Sequence, residues 1–320
     1  MTPEQALDVI PRLPALYDEP FSDSSQIPTF LVSEITKQHV TVALSGDGGD
    51  ELFCGYQRYF LADMLWRKIG KIPGPLRSKT ASMIKGVPSA VYDRTLDWLS
   101  PLASRYGRKG KTGDKLHKAA ELLEFTDPEA LYRHLVSHWK DPASVVANSL
   151  EPSTALTDRS RWAHLPDFMQ RMQYLDTISY LPDDILVKVD RAAMGVSLET
   201  RAPFLDHRVV EFACRIPLSL KIRNGQGKWI LRQVLNKYVP GELVERPKIG
   251  FGVPIDSWLR GPLREWAEEL LDSRRLSEAG FFDPLPIRKK WEEHISGQRN
   301  WHYYLWDVLM FEAWRDKYQD

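Results

Sequence analysis

The chain has 320 residues, with 43 Lys and Arg against 43 Asp and Glu, so its formal net charge is zero. That balance argues against nucleic acid or an anionic membrane as the main partner, and 43% hydrophobic with 27% charged residues is a globular composition. Cys54 and Cys214 stand far apart and outside any CxxC pair, which argues against a disulfide framework or a structural zinc site and fits a reducing, cytoplasmic compartment. No run approaches the roughly 20 apolar residues of a membrane span. The N-terminus lacks the basic region and apolar core of a signal peptide. The length allows one large domain or two smaller ones.

Thr2-Pro3-Glu4-Gln5 reads as a helix start, with Thr2 as N-cap and Gln5 closing a capping box. Pro11 and Pro14 end that helix, and residues 20–25 form a polar loop. A second helix is expected from Pro28 to about Gln38, with Phe30, Leu31 and Ile35 as its apolar stripe. It leads into Val40, Val42 and Leu44, whose β-branched and aliphatic character predicts a buried strand.

At Ser45 the character changes. Ser45-Gly46-Asp47-Gly48-Gly49-Asp50-Glu51 holds three glycines and three carboxylates in seven positions. Glycine allows positive φ and close backbone approach to a ligand, and successive N–H groups in such a turn form an anion-binding nest. Carboxylates beside a phosphate need a hard cation between them. Mg²⁺ binds through one or two carboxylates plus phosphate oxygens, which makes Asp47, Asp50 and Glu51 candidate ligands. One reading is therefore a nucleotide-phosphate and Mg²⁺ site at the end of a strand. The other is an ordinary turn, because Gly and Asp turn well. The stretch is neither a Walker A loop nor an EF-hand.

Beyond Tyr59 the pattern is helical. Helices are expected over 61–69 and 76–84, and a capping box at Thr126 opens another that runs to Trp139. Residues 105–118 are basic and read as a solvated loop. Further helices are expected over 168–180, after Leu181-Pro182, from an N-cap at Asp206 through Phe212, and from Lys228 to Pro240. The last carries Leu231, Val234, Leu235 and Tyr238 at i, i+3, i+4, i+7. Helices then fill the chain to Tyr318. One strand cannot be a sheet, so its partners lie in another segment or are missing.

Two more groups carry charge. In the stretch 181–206, the helix is expected to turn Ile185, Leu186 and Val189 to the core and Lys188, Asp190 and Arg191 to other faces. Asp190, Arg191, Glu199 and Arg201 sit among residues that read as buried, and must be paired or bind something. An ion-pair network and a binding site are both open readings. Arg246-Pro247-Lys248-Ile249-Gly250-Phe251-Gly252 is a glycine-flanked cationic loop, fit either for an anion or for plain solvation.

Together the three groups resemble the C-terminal synthetase domain of the glutamine-dependent asparagine synthetase family. The segments are L-S-G-D-G-G-D-E-L-F-x-G-Y, D-x-L-x-K-V-D-R-A-x-M-x-x-S-L-E-x-R-x-P-F-L-D and R-P-K-x-G-F-x-x-P. The resemblance runs from about Asp18 to the C-terminus. Other ATP-dependent amidotransferases share much of it, including enzymes that act on sugar carboxylates. It implies an α/β, predominantly helical chain, the C-terminal part of a PP-loop, Rossmann-like synthetase domain with most of its parallel sheet missing. The division expected is one domain over 1–320, with 1–60 a remnant of the nucleotide-binding part and 61–320 helical.

The resemblance further implies ATP-dependent adenylation of the aspartate side-chain carboxylate, with Mg²⁺-pyrophosphate leaving, then displacement of AMP by ammonia from glutamine. Carried over by position, Ser45 and Gly46 would touch ATP, and Asp47 would serve formation of the acyl-adenylate. Asp50, with Glu51, would hold Mg²⁺-pyrophosphate. Tyr56, Asp190, Arg191, Glu199 and Arg201 would shape the substrate side, and Lys248 would stabilise charge on phosphate. Cys54 stands where the family usually has Gly or Ala.

Two departures stand out. The family's Ser-Gly-Gly-x-Asp-Ser pyrophosphate loop is absent, and Met1 is followed by Thr2 rather than the glutaminase cysteine. The expectation is a chain that hydrolyses no glutamine and binds ATP poorly alone, partnered by a missing N-terminal glutaminase part, by a second copy in a homodimer, or by another polypeptide whose sheet it completes. No nucleic-acid or membrane partner is expected.

Overall fold

The computed structural model describes residues 2–87, 91–92, 112–244 and 252–318. In chain order, α1 (Pro3–Val9), α2 (Leu13–Tyr17) and α3 (Gln26–Lys37) precede strand β1 (Val42–Leu44). Next come α4 (Gly49–Leu52), α5 (Gln57–Ile69), α6 (Gly74–Lys85), α7 (Thr112–Leu123) and α8 (Pro128–Val136). Then α9 (Phe168–Ile178) leads through a π-helical turn, Leu181–Leu186, into α10 (Val187–Met194) and strand β2 (Glu199–Arg201). The rest is helical: α11 (His207–Arg215), α12 (Leu218–Lys221), α13 (Trp229–Leu235), α14 (Gly241–Val244), α15 (Ile255–Arg260), α16 (Arg264–Leu270), α17 (Ser273–Ala279), α18 (Pro284–Ile295) and α19 (His302–Tyr318).

The caps read from sequence do their work. Thr2 and Gln5 exchange both bonds of the capping box. Asp206 accepts the Arg208 N–H at 2.9 Å to start α11. At α8 the cap is Asp127, one residue after the expected Thr126, and it accepts the Ala130 N–H at 2.8 Å. Residues 112–118, expected in a loop, form the start of α7; 105–111 lie outside the described residues.

Strand β1 has a partner in the chain. It pairs in parallel with β2, in the register Val42↔Glu199, Ala43↔Thr200 and Leu44↔Arg201. Glu-Thr-Arg lacks the apolar signature of a strand, so its sequence marks it only as charged. The burial expected for β1 is also corrected: Val42 is 38% and Leu44 74% exposed.

The chain divides into two compact units. The first comprises Met1–Gly55, His138–His164 and Gln173–Asp320. Its main core joins α1, α2 and α3 to α15–α19, around Tyr17, Phe30, Trp291, Trp306 and Leu309. His294 is buried there. Its Nδ1 accepts the Trp301 N–H at 3.2 Å, and its Nε2 lies 3.3 Å from the Asp256 carbonyl, which it meets as donor. Burial, then the Arg260 cation, push its pKa down to about 4.

The same unit buries a charge cluster. Lys188 on α10, placed on an outer face by the sequence reading, is 7% exposed. Its ammonium donates to Asp23 and, at 3.2 Å, to Asp184, and the Tyr17 hydroxyl donates to its carbonyl at 3.3 Å. Burial and then the charge of Asp23 push the Asp184 carboxyl up to about 6, against the pull of Lys188. Conversely Asp190, Arg191, Glu199 and Arg201, expected to sit among buried residues, are exposed. The small side chains of Ala192 and Ala193 take the buried face of α10 instead.

The second unit comprises Tyr56–Ser137 and Leu165–Met172. Its described core includes Tyr59, Ala62, Ala81, Ala120, Leu131 and Tyr132. The Tyr59 and Tyr132 rings lie 6.5 Å apart, and Arg77 donates to the Phe125 carbonyl at 3.0 Å. Arg171 pairs with Glu129 at 2.6 Å. Among the described residues of the whole chain, no helix is long and apolar enough to cross a membrane.

Candidate functional site

The turn after β1 is built by its glycines. Ser45 closes the sheet by donating its N–H to the Arg201 carbonyl at 2.8 Å. Gly49 donates to the Gly46 carbonyl at 3.2 Å, and Gly48 between them has φ 84. A side chain on Gly48 would also strike Leu205, with its Cβ 2.4 Å from a methyl carbon. A left-handed residue under a close neighbour is a place for glycine. The turn delivers Asp47 and Asp50, both half-buried, and Glu51, which is 1% exposed. Asp47 makes no hydrogen bond or ion pair with the described residues. The Glu51 backbone carbonyl accepts from Gln173 at 2.7 Å, anchoring α4 to α9.

A second loop meets this turn. Asn224 and Gly225 both have positive φ, between an antiparallel bridge of Arg223 with Gln226. That is the two-residue I′ hairpin for which Asn-Gly is suited. It presents Gly227 and Lys228. The Lys228 N–H donates to the Phe53 carbonyl at 2.9 Å, and its Nζ lies 2.9 Å from Asp50 Oδ2. The two loops are in close approach: a Cβ on Gly227 would lie 1.9 Å from the Cys54 oxygen, and one on Gly55 1.9 Å from Asp50 Oδ1. Cys54 is fully buried with φ 56, a left-handed backbone state that favours glycine over a residue with a side chain. Its burial fits a structural thiol rather than a nucleophile.

Lys228 was read from sequence as a helix start. It sits at the N-cap of α13, in Gly225-Gln226-Gly227-Lys228. The glycine-flanked lysine that drew attention to Lys248 was therefore present twice. Residues 245–251, including Lys248, lie outside the described residues. The stripe expected on α13 is corrected: Val234, Leu235 and Tyr238 are exposed, because the helix ends at Leu235 and its core contacts come from Ile230 and Leu231.

The remaining candidates fall in three places. Glu199 and Arg201 are two residues apart on β2, so they share a face, and pair at 2.8 Å with both side chains more than half exposed. Arg191 pairs with Asp18 at 2.7 Å, and Asp190 is exposed on the same helix. Tyr56 opens the second unit, where the Arg58 guanidinium lies 3.9 Å over its ring. Among the described residues, no three His, Cys, Asp or Glu side chains gather as a metal site. A hard cation shared with phosphates needs fewer, and Asp47 and Asp50, both half-buried on the glycine-lined turn, are donors of the right kind. Burial separates Glu51 from that pair.

The comparison with known proteins decides what this assembly belongs to. The model of the family described as asparagine synthase matches residues 1–316. The chain belongs to the asparagine synthase family. It is 30% identical over 316 residues to "Asparagine synthetase [glutamine-hydrolyzing] 1" of Bacillus subtilis (strain 168), covering 98% of this chain and 46% of that protein. A "Putative asparagine synthetase [glutamine-hydrolyzing]" of Mycobacterium bovis is 33% identical over 317 residues, covering 97% of this chain and 44% of its own length. The "Amidase chyE" of Penicillium rubens is 26% identical over 267 residues, covering 79% and 38%. This family member thus spans less than half the length of the curated synthetases it matches.

Proposed function

We propose that this chain is the acid-activating, amide-forming part of an asparagine synthetase with a PP-loop-type nucleotide fold. The observation that supports this most is the match of the synthase family to residues 1–316, which takes in the Asp47–Asp50 turn and the Glu199–Arg201 strand. In this reading the Ser45–Gly46 segment lies against ATP, which is consumed as a substrate. Asp47 and Asp50 would hold Mg²⁺, which would supply positive charge against the phosphate oxygens. Lys228 faces the same charge from the opposite loop, and Lys248 adds a second cation. Glu199, Arg201, Asp190 and Arg191 orient the amino acid and ammonia.

A side-chain carboxylate oxygen of aspartate bonds to the α-phosphorus, and pyrophosphate leaves. Ammonia then bonds to the acyl carbon, loses a proton, and AMP leaves. Placing cations at the phosphates lowers the barrier most where charge builds up. The ammonia source, glutamine hydrolysis by another part of the polypeptide, belongs to the same proposal.

The test is pyrophosphate release by the protein as isolated from its source, with MgATP, ammonium chloride and a panel of carboxylic acids. The expected result is release with aspartate, one asparagine per pyrophosphate, and loss of both in Asp47→Asn. Release with a sugar acid and none with aspartate would overturn the choice of substrate. Release that is unchanged in Asp47→Asn would overturn the site.

A further inference from the structure

Apart from the Asp47–Asp50 turn, the first unit holds a cavity of about 210 Å³. None of the residues lining it belongs to the candidate site. One wall is Phe21 and Ser22, from the loop between α2 and α3. That loop is pinned to α10 on both sides of Phe21, by the Asp18–Arg191 pair at 2.7 Å and by Asp23 accepting from Lys188. A second wall is Val145, Val146 and Phe282. Val146 and Phe282 form an antiparallel bridge, closed by the Ala147 N–H donating to the Phe281 carbonyl and the Asp283 N–H to the Val145 carbonyl, each at 2.8 Å. Asp307 and Phe311, both on α19, add a third. Phe21 stacks on Tyr17 with ring centres 4.7 Å apart, and Phe311 meets the Phe282 ring edge-on at 5.0 Å. The rings are therefore held in place before any ligand arrives.

We propose that this cavity binds a small organic cation, a primary ammonium on an apolar body the size of a benzene ring, with the ammonium at Asp307 and the body against Phe21, Phe282 and Phe311. An apolar cavity of about 150 Å³ takes benzene, so 210 Å³ leaves room for an aminomethyl group as well. The charge of the ligand follows from Asp307, which among the described residues lining the cavity is alone in carrying a charge. A neutral apolar ligand would strip water from that carboxylate with nothing in return, and an anion would be repelled. His138 leaves the carboxylate with capacity to spare. Its Nδ1 lies 3.1 Å from both Asp307 oxygens, so a single N–H serves both, and a carboxylate has about four acceptor sites. Trp139 also lines the cavity, but its ring already carries the Lys290 ammonium 5.2 Å from its centre. That leaves the three phenylalanines for the ring and cation–π contacts of a ligand.

The test is isothermal titration calorimetry of the full 320-residue protein at neutral pH, with benzylammonium, benzyl alcohol and benzoate as probes. The expected result is one benzylammonium per chain, bound about tenfold more tightly than benzyl alcohol, and no binding of benzoate. Asp307→Asn should bring benzylammonium down to the level of benzyl alcohol. His138→Gln, which frees acceptor sites on Asp307, should tighten benzylammonium, and this variant decides the matter if Asp307→Asn fails to fold. Amide hydrogen exchange places the ligand. With benzylammonium bound, the Ala147 and Asp283 amides, which hold the second wall together, should exchange more slowly. The Ser45 amide, bonded to Arg201 across the sheet, should not change. Equal affinity for the ammonium and the alcohol, or no binding of either, overturns the proposal. So does benzylammonium binding that survives Asp307→Asn or weakens in His138→Gln. Slower exchange at Ser45 with none at Ala147 and Asp283 also overturns it, because the cation then sits elsewhere.

Discussion

Around Trp306, α1, α2, α3 and α15–α19 bring together a broad apolar core with Tyr17, Phe30, Trp258, Trp291 and Leu309. Around Phe53, beneath the Asp47–Asp50 turn, the described buried cluster is Leu52, Phe53, Ala213 and Ile216. Both belong to the same compact unit. The first region is held by buried area. The second is held by backbone bonds, left-handed residues and glycines in close contact, which fix a few polar groups in place with little apolar support. Stability and chemistry therefore draw on different parts of the unit, and substitutions should separate them.

The largest expected effect is at the helical core. Trp306→Ala should lower unfolding free energy by about 3–5 kcal/mol, read from urea denaturation. A loss as small as that of a surface change would erase the contrast. Next is the loop contact. Gly227→Ala forces a Cβ onto the Cys54 oxygen, and overpacking of this kind should cost about 1–3 kcal/mol. It should also part Lys228 from Asp50, so nucleotide-dependent activity should fall further than stability does.

A smaller effect tests the buried charges. The raised pKa of Asp184 means that its contribution to stability is full below about pH 4 and lost as pH rises through about 6. Asp184→Asn should therefore be more stable than the parent at pH 8, by about 1–2 kcal/mol. The gap should close toward pH 4, as urea midpoints across that range would record. An equal gap at all pH values would mean that Asp184 stays charged throughout. The smallest effect is on β2. Arg201→Ala removes an exposed ion pair and should change stability by less than about 1 kcal/mol. Its effect on aspartate-dependent pyrophosphate release should be far larger, and equal small effects would remove Arg201 from the substrate side.

The sequence made the helix starts legible, because Thr2 and Asp206 advertise their caps through local bonds alone. The Ser45–Glu51 turn was legible for the same reason: its glycines answer to backbone geometry within the turn. What escaped depended on distant partners. Glu199-Thr200-Arg201 is a strand only because β1 lies beside it. Lys188 looks like a surface residue until Asp23, far along the chain, is brought to it. Lys228 joins the site only through the close packing of Gly227 on Cys54. The apolar stripe on α13 misled because periodicity shows which residues share a face and leaves open what that face meets.

The two thiols turn this architecture into a clock. Cys214 is exposed on α11, and Cys54 is buried at the pivot between the two site loops. A maleimide dye added to the native protein will tag Cys214 at once, giving a single fluorescent handle with no engineering. Cys54 will react only as often as the pivot opens, because local opening sets the access of a buried group to reagent. Its slow second phase is a direct recording of how frequently the loops that hold Asp50 and Lys228 come apart.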